Sequence, residues 1–172
     1  NINLYLAGIL PLGFCALLWS VFNFPVERVN AGLAALSFVT VFFSSYLRIQ
    51  LPRTKIHLTI SDALVILSLM IYGGEVAVLL SALESFYTSL NFRRQGISIK
   101  TKTIFLNVSV TSISTFLTAT VAAYLFGSAE AVATTGTNTW LVAMITAMAF
   151  TQFIVNSICV AVFIAIKSDK SV

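Results

Sequence analysis

The sequence predicts an all-α integral membrane domain of six transmembrane helices with both termini in the cytoplasm. Three observations carry that prediction. First, 58% of the 172 residues are hydrophobic and only 9% are charged, with a mean hydropathy of +0.96. A soluble domain carries about 25% charged residues, so this chain has too little polar surface to face water all round. Second, apolar runs of helical length recur six times. Third, the basic residues alternate between connectors, which is the pattern of a polytopic chain.

The first apolar run is Leu4 to Phe22, with Pro11 and Gly13 inside it. Pro11 removes an i→i−4 hydrogen bond and should kink the helix. This run lacks a basic leader and an A-x-A cleavage pattern, so it reads as a helix and not as a signal peptide. A turn from Asn23 to Asn30 leads to a second run, Ala31 to Leu47, and then to a polar connector, Arg48 to Ile60. Helix three, Ser61 to Tyr72, opens on a Ser61–Asp62 start and stops at Gly73–Gly74. It is short for a span at about 1.5 Å per residue. Helix four is Glu75 to Asn91, and Arg93 to Lys102 is a basic loop. Helix five is Thr103 to Phe126, Gly127 to Asn138 is a small polar loop, and helix six is Thr139 to Ile166. Residues 1–166 thus form one domain, and 167–172 are a cytoplasmic tail or a linker to an output domain beyond Val172.

Charge placement sets the orientation. Arg48, Arg53 and Lys55 follow helix two; Arg93, Arg94, Lys100 and Lys102 follow helix four; Lys167 and Lys170 follow helix six. The alternate connectors hold Arg28 alone, beside Glu27, Glu75 and Glu130. Nine basic residues against one place the termini and the basic loops in the cytoplasm; the resemblance given below implies a bacterial inner membrane. This charge is explained by topology and gives no reason to expect nucleic-acid binding. Trp19, Tyr72 and Trp140 lie near the opposite helix ends and suit interfacial anchoring.

Small residues at four-residue spacing predict close helix contacts in lipid: Ala77, Ser81, Ser85 and Ser89 on helix four, Thr111, Thr115, Ala119, Ala123 and Gly127 on helix five, and Ala143, Ala147 and Thr151 on helix six. Helices four, five and six are therefore expected at the centre, with helix one more exposed to lipid. Cys15 and Cys159 have no metal-ligand spacing and read as small buried hydrophobes.

Glu84 is the residue that calls for chemistry, because a charge at that depth costs several kcal/mol (order of magnitude) unless paired, neutralised or hydrated. Ser81, Glu84, Ser85 and Thr88 fall on one helix face. A second polar face on helix five holds Asn107, Thr111, Ser114 and Thr118, and a third on helix six holds Gln152 and Asn156. These faces read either as a cavity for a small-molecule or ionic ligand, or as an interhelical hydrogen-bond network around a protonated Glu84. Asp62 reads as a helix cap, and His57, alone in a basic connector, as no ligand set. The chain has no G-x-S-x-G, no H-E-x-x-H and no Gly-rich phosphate loop, so it is not expected to be an enzyme. Nothing in the residues names a cofactor.

The run ISDALVILSLMIYGGEVAVLLSALESFYTSL, the basic loop after it and IFLNVSVTSIS resemble the membrane-associated sensor domains of MASE type. Such domains precede GGDEF or HD-GYP output domains in bacterial cyclic-di-GMP signalling proteins. The resemblance rests on Ser61–Asp62, Gly74–Glu75, Glu84 and Leu106–Asn107; the proline of the family's Gly-Pro-Glu break is replaced here by Gly73–Gly74. It implies a sensory input domain whose ligand sits near Glu84, Asn107, Gln152 and Asn156 and whose last helix carries the signal out, an arrangement suited to a parallel homodimer. The same helix-break-helix pattern is similar to the six-helix S components of energy-coupling factor vitamin transporters. These often dock their coupling partner through an Ala-x-x-x-Ala stripe on the first helix; helix one here has no such stripe, and Ala31 and Ala35 on helix two are the nearest match. A structural subunit of a larger membrane complex is the third reading.

Overall fold

A computed structural model describes residues 2–43, 48–50, 57–59, 61–127 and 137–168. Arg53, Lys55, Glu130 and Lys170, and with them most of the polar loop and the tail after Ser168, lie outside the described residues. The described chain is helical: α1 (Ile2–Phe22), a 3-10 turn (Val26–Arg28), α2 (Ala31–Phe38), α3 (Ser61–Tyr72), α4 (Gly74–Arg94), α5 (Thr101–Phe126) and α6 (Asn138–Ser168). Three of these, α1, α5 and α6, are long and apolar enough to cross a membrane.

The helix boundaries have local causes. Asn30 caps α2, its Oδ1 accepting from the Leu33 backbone N–H at 2.9 Å, as a side-chain oxygen does for an otherwise orphaned amide. The α-helical pattern of α2 gives way to a π turn at Val39–Phe43, and the expected continuation over 44–47 lies outside the described residues. The expected polar connector contains a small antiparallel hairpin, Arg48–Gln50 (β1) against His57–Thr59 (β2), with Ile49 opposite Leu58. Gly73 separates α3 from α4 at φ 100°, a conformation open to glycine and costly for other residues. Helix α1 continues through Pro11.

Successive helices run in opposite directions. At one end Arg28 bonds the Tyr72 carbonyl, and Phe126 meets Trp140 edge-on. At the other end Tyr5, near the start of α1, donates to the Cys159 carbonyl at 2.7 Å and stacks near Phe163 of α6. The basic residues Arg93, Arg94, Lys100 and Lys102 belong to this second end, and Arg28 to the first.

Helix α5 is the hub: α4, α1 and α6 all pack against it, and α3 packs on α4 and α6. Two close approaches show why small residues are needed there. A Cβ on Gly74 would stand 2.7 Å from the Ala119 Cβ, and one on Gly13 would overlap Ser109. The main apolar cluster joins Val65, Ile66, Leu69, Ala77, Ala122, Met144 and Met148. Helix α4 has 21 residues but carries Glu75, Glu84, Arg93 and Arg94; its many buried small residues face other helices, which relieves it of the apolar composition a lipid-facing helix needs.

Helix α6 does not occupy the centre as expected. Only 6% of its most apolar window is buried, against 44% for α5 and 17% for α1. Its inward face is Leu141, Met144, Met148 and Gln152, one residue round from the Ala143 stripe, and Ala143 itself is exposed. Trp19 and Trp140 are exposed, as anchors would be, whereas Tyr72 is buried and donates to Asn30 Oδ1 at 3.3 Å. Cys15 is exposed rather than buried.

Candidate functional site

The small-residue face of α4 puts its polar side chains against α5, and hydrogen bonds join them in pairs. Thr111 Oγ1 meets Ser85 Oγ at 3.4 Å and also donates to the Asn107 carbonyl at 2.8 Å. Asn107 Nδ2 donates to Ser89 Oγ at 3.3 Å. Thr88 Oγ1 donates to Glu84 Oε1 at 3.0 Å, and Glu84 is 7% exposed. Ser81, wholly buried, turns back on its own helix to the Val78 carbonyl at 2.9 Å. Of the α4 and α5 candidates, Ser85, Asn107 and Thr111 are thus brought together, with Ser89, as an interhelical seam.

Gln152 belongs to a different group. Its backbone carbonyl accepts from Ser114 Oγ of α5 at 3.0 Å, and its Nε2 donates to Asp62 Oδ1 of α3 at 3.3 Å. This side chain therefore ties α6 to α3, and Asp62, which the sequence marks only as a cap, is its partner. Gln152 Oε1 is buried without a hydrogen-bond partner, as are Ser68 Oγ and Thr115 Oγ1. Asn156 is half-buried one turn further along α6, and no hydrogen bond joins it to the other candidates among the described residues. Helix α6 packs mainly on α5 and meets α3 more lightly, and Gln152 reaches these two helices and not the Ser85–Asn107 seam.

A half-open cavity of about 890 Å³ lies at the other end of the molecule, walled by α3, α5 and α6 and bordered by the turn between α1 and α2. Its floor is apolar: Leu69, Met70, Ala119, Ala122, Met144 and Met148. Its mouth carries Glu27, Arg28 and Asn30. Arg28 is held there by the bond from its Nη1 to the Tyr72 carbonyl at 3.1 Å, which satisfies a terminal carbonyl of α3 with a cation, the favourable partner for that end of a helix. The volume is within the roughly 300–1,000 Å³ of small-molecule sites, and an apolar lining with a few convergent polar groups is their usual make-up.

Sequence reasoning misses this cavity because its wall residues come from four separate segments and are of ordinary core types. Arg28 was the one available signal, as the single basic residue among the connectors of its side. Among the described residues no group of His, Cys, Asp or Glu could hold a metal ion. No protein family, curated protein or solved structure matches the chain.

Proposed function

We propose that the chain is the ligand-binding input domain of a bacterial inner-membrane signalling protein, spanning the bilayer six times with its termini and basic loops in the cytoplasm. The observation that carries this reading is the cavity shared by α3, α5 and α6, because one of its walls is the least buried helix of the bundle. Leu141, Met144 and Met148 line the cavity, and Gln152, on the same face of α6, holds Asp62 below it. A ligand that packs better against one setting of α6 than another shifts the balance between them, and only such differential affinity can do so. The displacement then reaches the cytoplasm along α6, whose 31 residues exceed the ~20 needed to cross a bilayer. The seam of Ser85, Ser89, Asn107 and Thr111 keeps α4 and α5 together as the fixed part against which α6 moves.

Native mass spectrometry of the protein purified from bacterial membranes tests the reading. The wild type is expected to carry a bound small molecule that the cavity-filling variant Met70→Trp lacks. Absence of any adduct, or equal loading of both proteins, would refute it.

A transporter S component is the second reading, and one observation favours it. Ala31 and Ala35 are both exposed on α2, leaving a small-residue face open to a helical partner. Co-purification of the chain with a transmembrane coupling subunit, lost in Ala31→Leu, would support that reading over the first.

A further inference from the structure

We propose that the cavity takes a single-chain zwitterionic amphiphile drawn from the bilayer, an inference that rests on the ligand-binding reading above and names the class of its ligand. Two features of the cavity point to a chain-bearing molecule. The floor is made of thioether, methyl and isobutyl groups (Met70, Met144, Met148, Ala119, Ala122 and Leu69). Leu67 and Ile71 also line it and are 43% and 55% exposed, so the apolar wall runs out onto the surface of α3. A hydrocarbon chain follows such a wall from lipid into the cavity without crossing a polar rim.

The head group is set by the charges at the mouth. The Arg28 guanidinium has five N–H donors, and its one hydrogen bond goes to the Tyr72 carbonyl. A Cβ on Gly73 would lie 3.3 Å from Arg28 Nη1 and 3.4 Å from Glu75 Oε2, so this guanidinium and this carboxylate close over the same glycine. Glu27 is the adjacent residue in the chain and lines the cavity too. Arg28 and the two carboxylates make no ion pair with one another at salt-bridge distance. An anionic head would gain Arg28 but face the Glu27 carboxylate of the lining, with Glu75 beyond it over Gly73, and a simple ammonium would gain these carboxylates but face Arg28. A head that carries an ammonium and an acidic group satisfies both signs at once, and like-charge contacts disfavour the other classes.

The test is competitive native mass spectrometry on the full chain, delipidated in a maltoside detergent. The probes are palmitoyl lysophosphatidylethanolamine, palmitoyl lysophosphatidylglycerol and palmitate, with phosphoethanolamine as the head without a chain. The zwitterionic lysolipid is expected to be retained about tenfold over the anionic one, equivalent to ~1.4 kcal/mol, and phosphoethanolamine is expected not to be retained. The double variant Glu27→Gln with Glu75→Gln is expected to bring the two lysolipids to parity. Equal or reversed retention by the wild type, or an unchanged preference in the double variant, would overturn the head-group assignment. Retention of phosphoethanolamine would overturn chain-led entry. Ala123→Trp, at an exposed lining position, separates this failure from that of the underlying reading. If it binds every amphiphile as the wild type does, the cavity is not the site and both fall. If it loses all binding while the wild type fails to discriminate, only the head-group class is wrong.

Discussion

Replacing Gly74 by alanine places a methyl group 2.7 Å from the Ala119 Cβ. Carbon atoms in good contact stand about 3.5–4.0 Å apart, so α4 and α5 must separate by roughly 1 Å at the top of their seam. Overpacking of this kind costs roughly 1–3 kcal/mol. Alanine has a helix preference over glycine of about 0.8–1.0 kcal/mol in a helix interior, and less here, in the first turn of α4. The balance is a net loss of roughly 1–2 kcal/mol. Reversible unfolding by SDS in mixed micelles, followed by tryptophan fluorescence, reads the change directly. Ala119→Gly in the same chain removes the opposing methyl but itself costs about 0.8–1.0 kcal/mol inside α5, so the double variant is expected to be more stable than the sum of the two single changes by a coupling of about 1–2 kcal/mol. A Gly74→Ala protein as stable as the wild type, or a double variant whose effects simply add, would refute the close approach of these two helices.

Three further outcomes follow from the same packing. Gly73→Ala puts a side chain on a backbone at φ 100° and ψ 173°, a region essentially reserved for glycine, and 3.3 Å from Arg28 Nη1; a loss of about 1–3 kcal/mol is expected in the same unfolding assay, and Gly73→Asn should be no milder. Gln152→Leu removes one hydrogen bond to Asp62 but also a buried unpaired oxygen, so its stability is expected to stay within about 1 kcal/mol of wild type, while spin labels on α3 and α6 should report a broader distance distribution. Glu84→Gln keeps an acceptor for Thr88 and is expected to unfold within about 1 kcal/mol of wild type, whereas Glu84→Leu, which removes the oxygen that Thr88 donates to, should lose roughly 1–3 kcal/mol.

The parts of the fold that were legible in the sequence are those with local causes. Helix α3 runs from Ser61 to Tyr72 as its start signal and the Gly73–Gly74 break predict. The stripe Ala77, Ser81, Ser85 and Ser89 is buried throughout, because a helix surrounded by other helices shows its contact face as a row of small residues. The same rule misplaced the face of α6, where most of the surface meets lipid and the inward residues are the long, unbranched Met144 and Met148. Hydropathy records apolarity and not the hydrogen-bond pattern, so the change from α to π turns at Val39–Phe43 leaves no trace in it. Tyr72 was read as an interfacial anchor, yet Asn30 offers its hydroxyl a partner inside the protein. Of the candidate site, the pairing of α4 with α5 follows from their facing polar rows. The Asp62–Gln152 contact spans ninety residues, and no local pattern encodes it.

The three unpaired oxygens, on Ser68, Thr115 and Gln152, belong to α3, α5 and α6, the helices that wall the cavity. Each buried group without a partner costs about 1–3 kcal/mol relative to a satisfied one. Under the proposed reading, a turn of α6 that brought a donor to the stranded amide oxygen would recover part of that cost, and a bound molecule would then need to supply correspondingly less free energy to favour the turned setting.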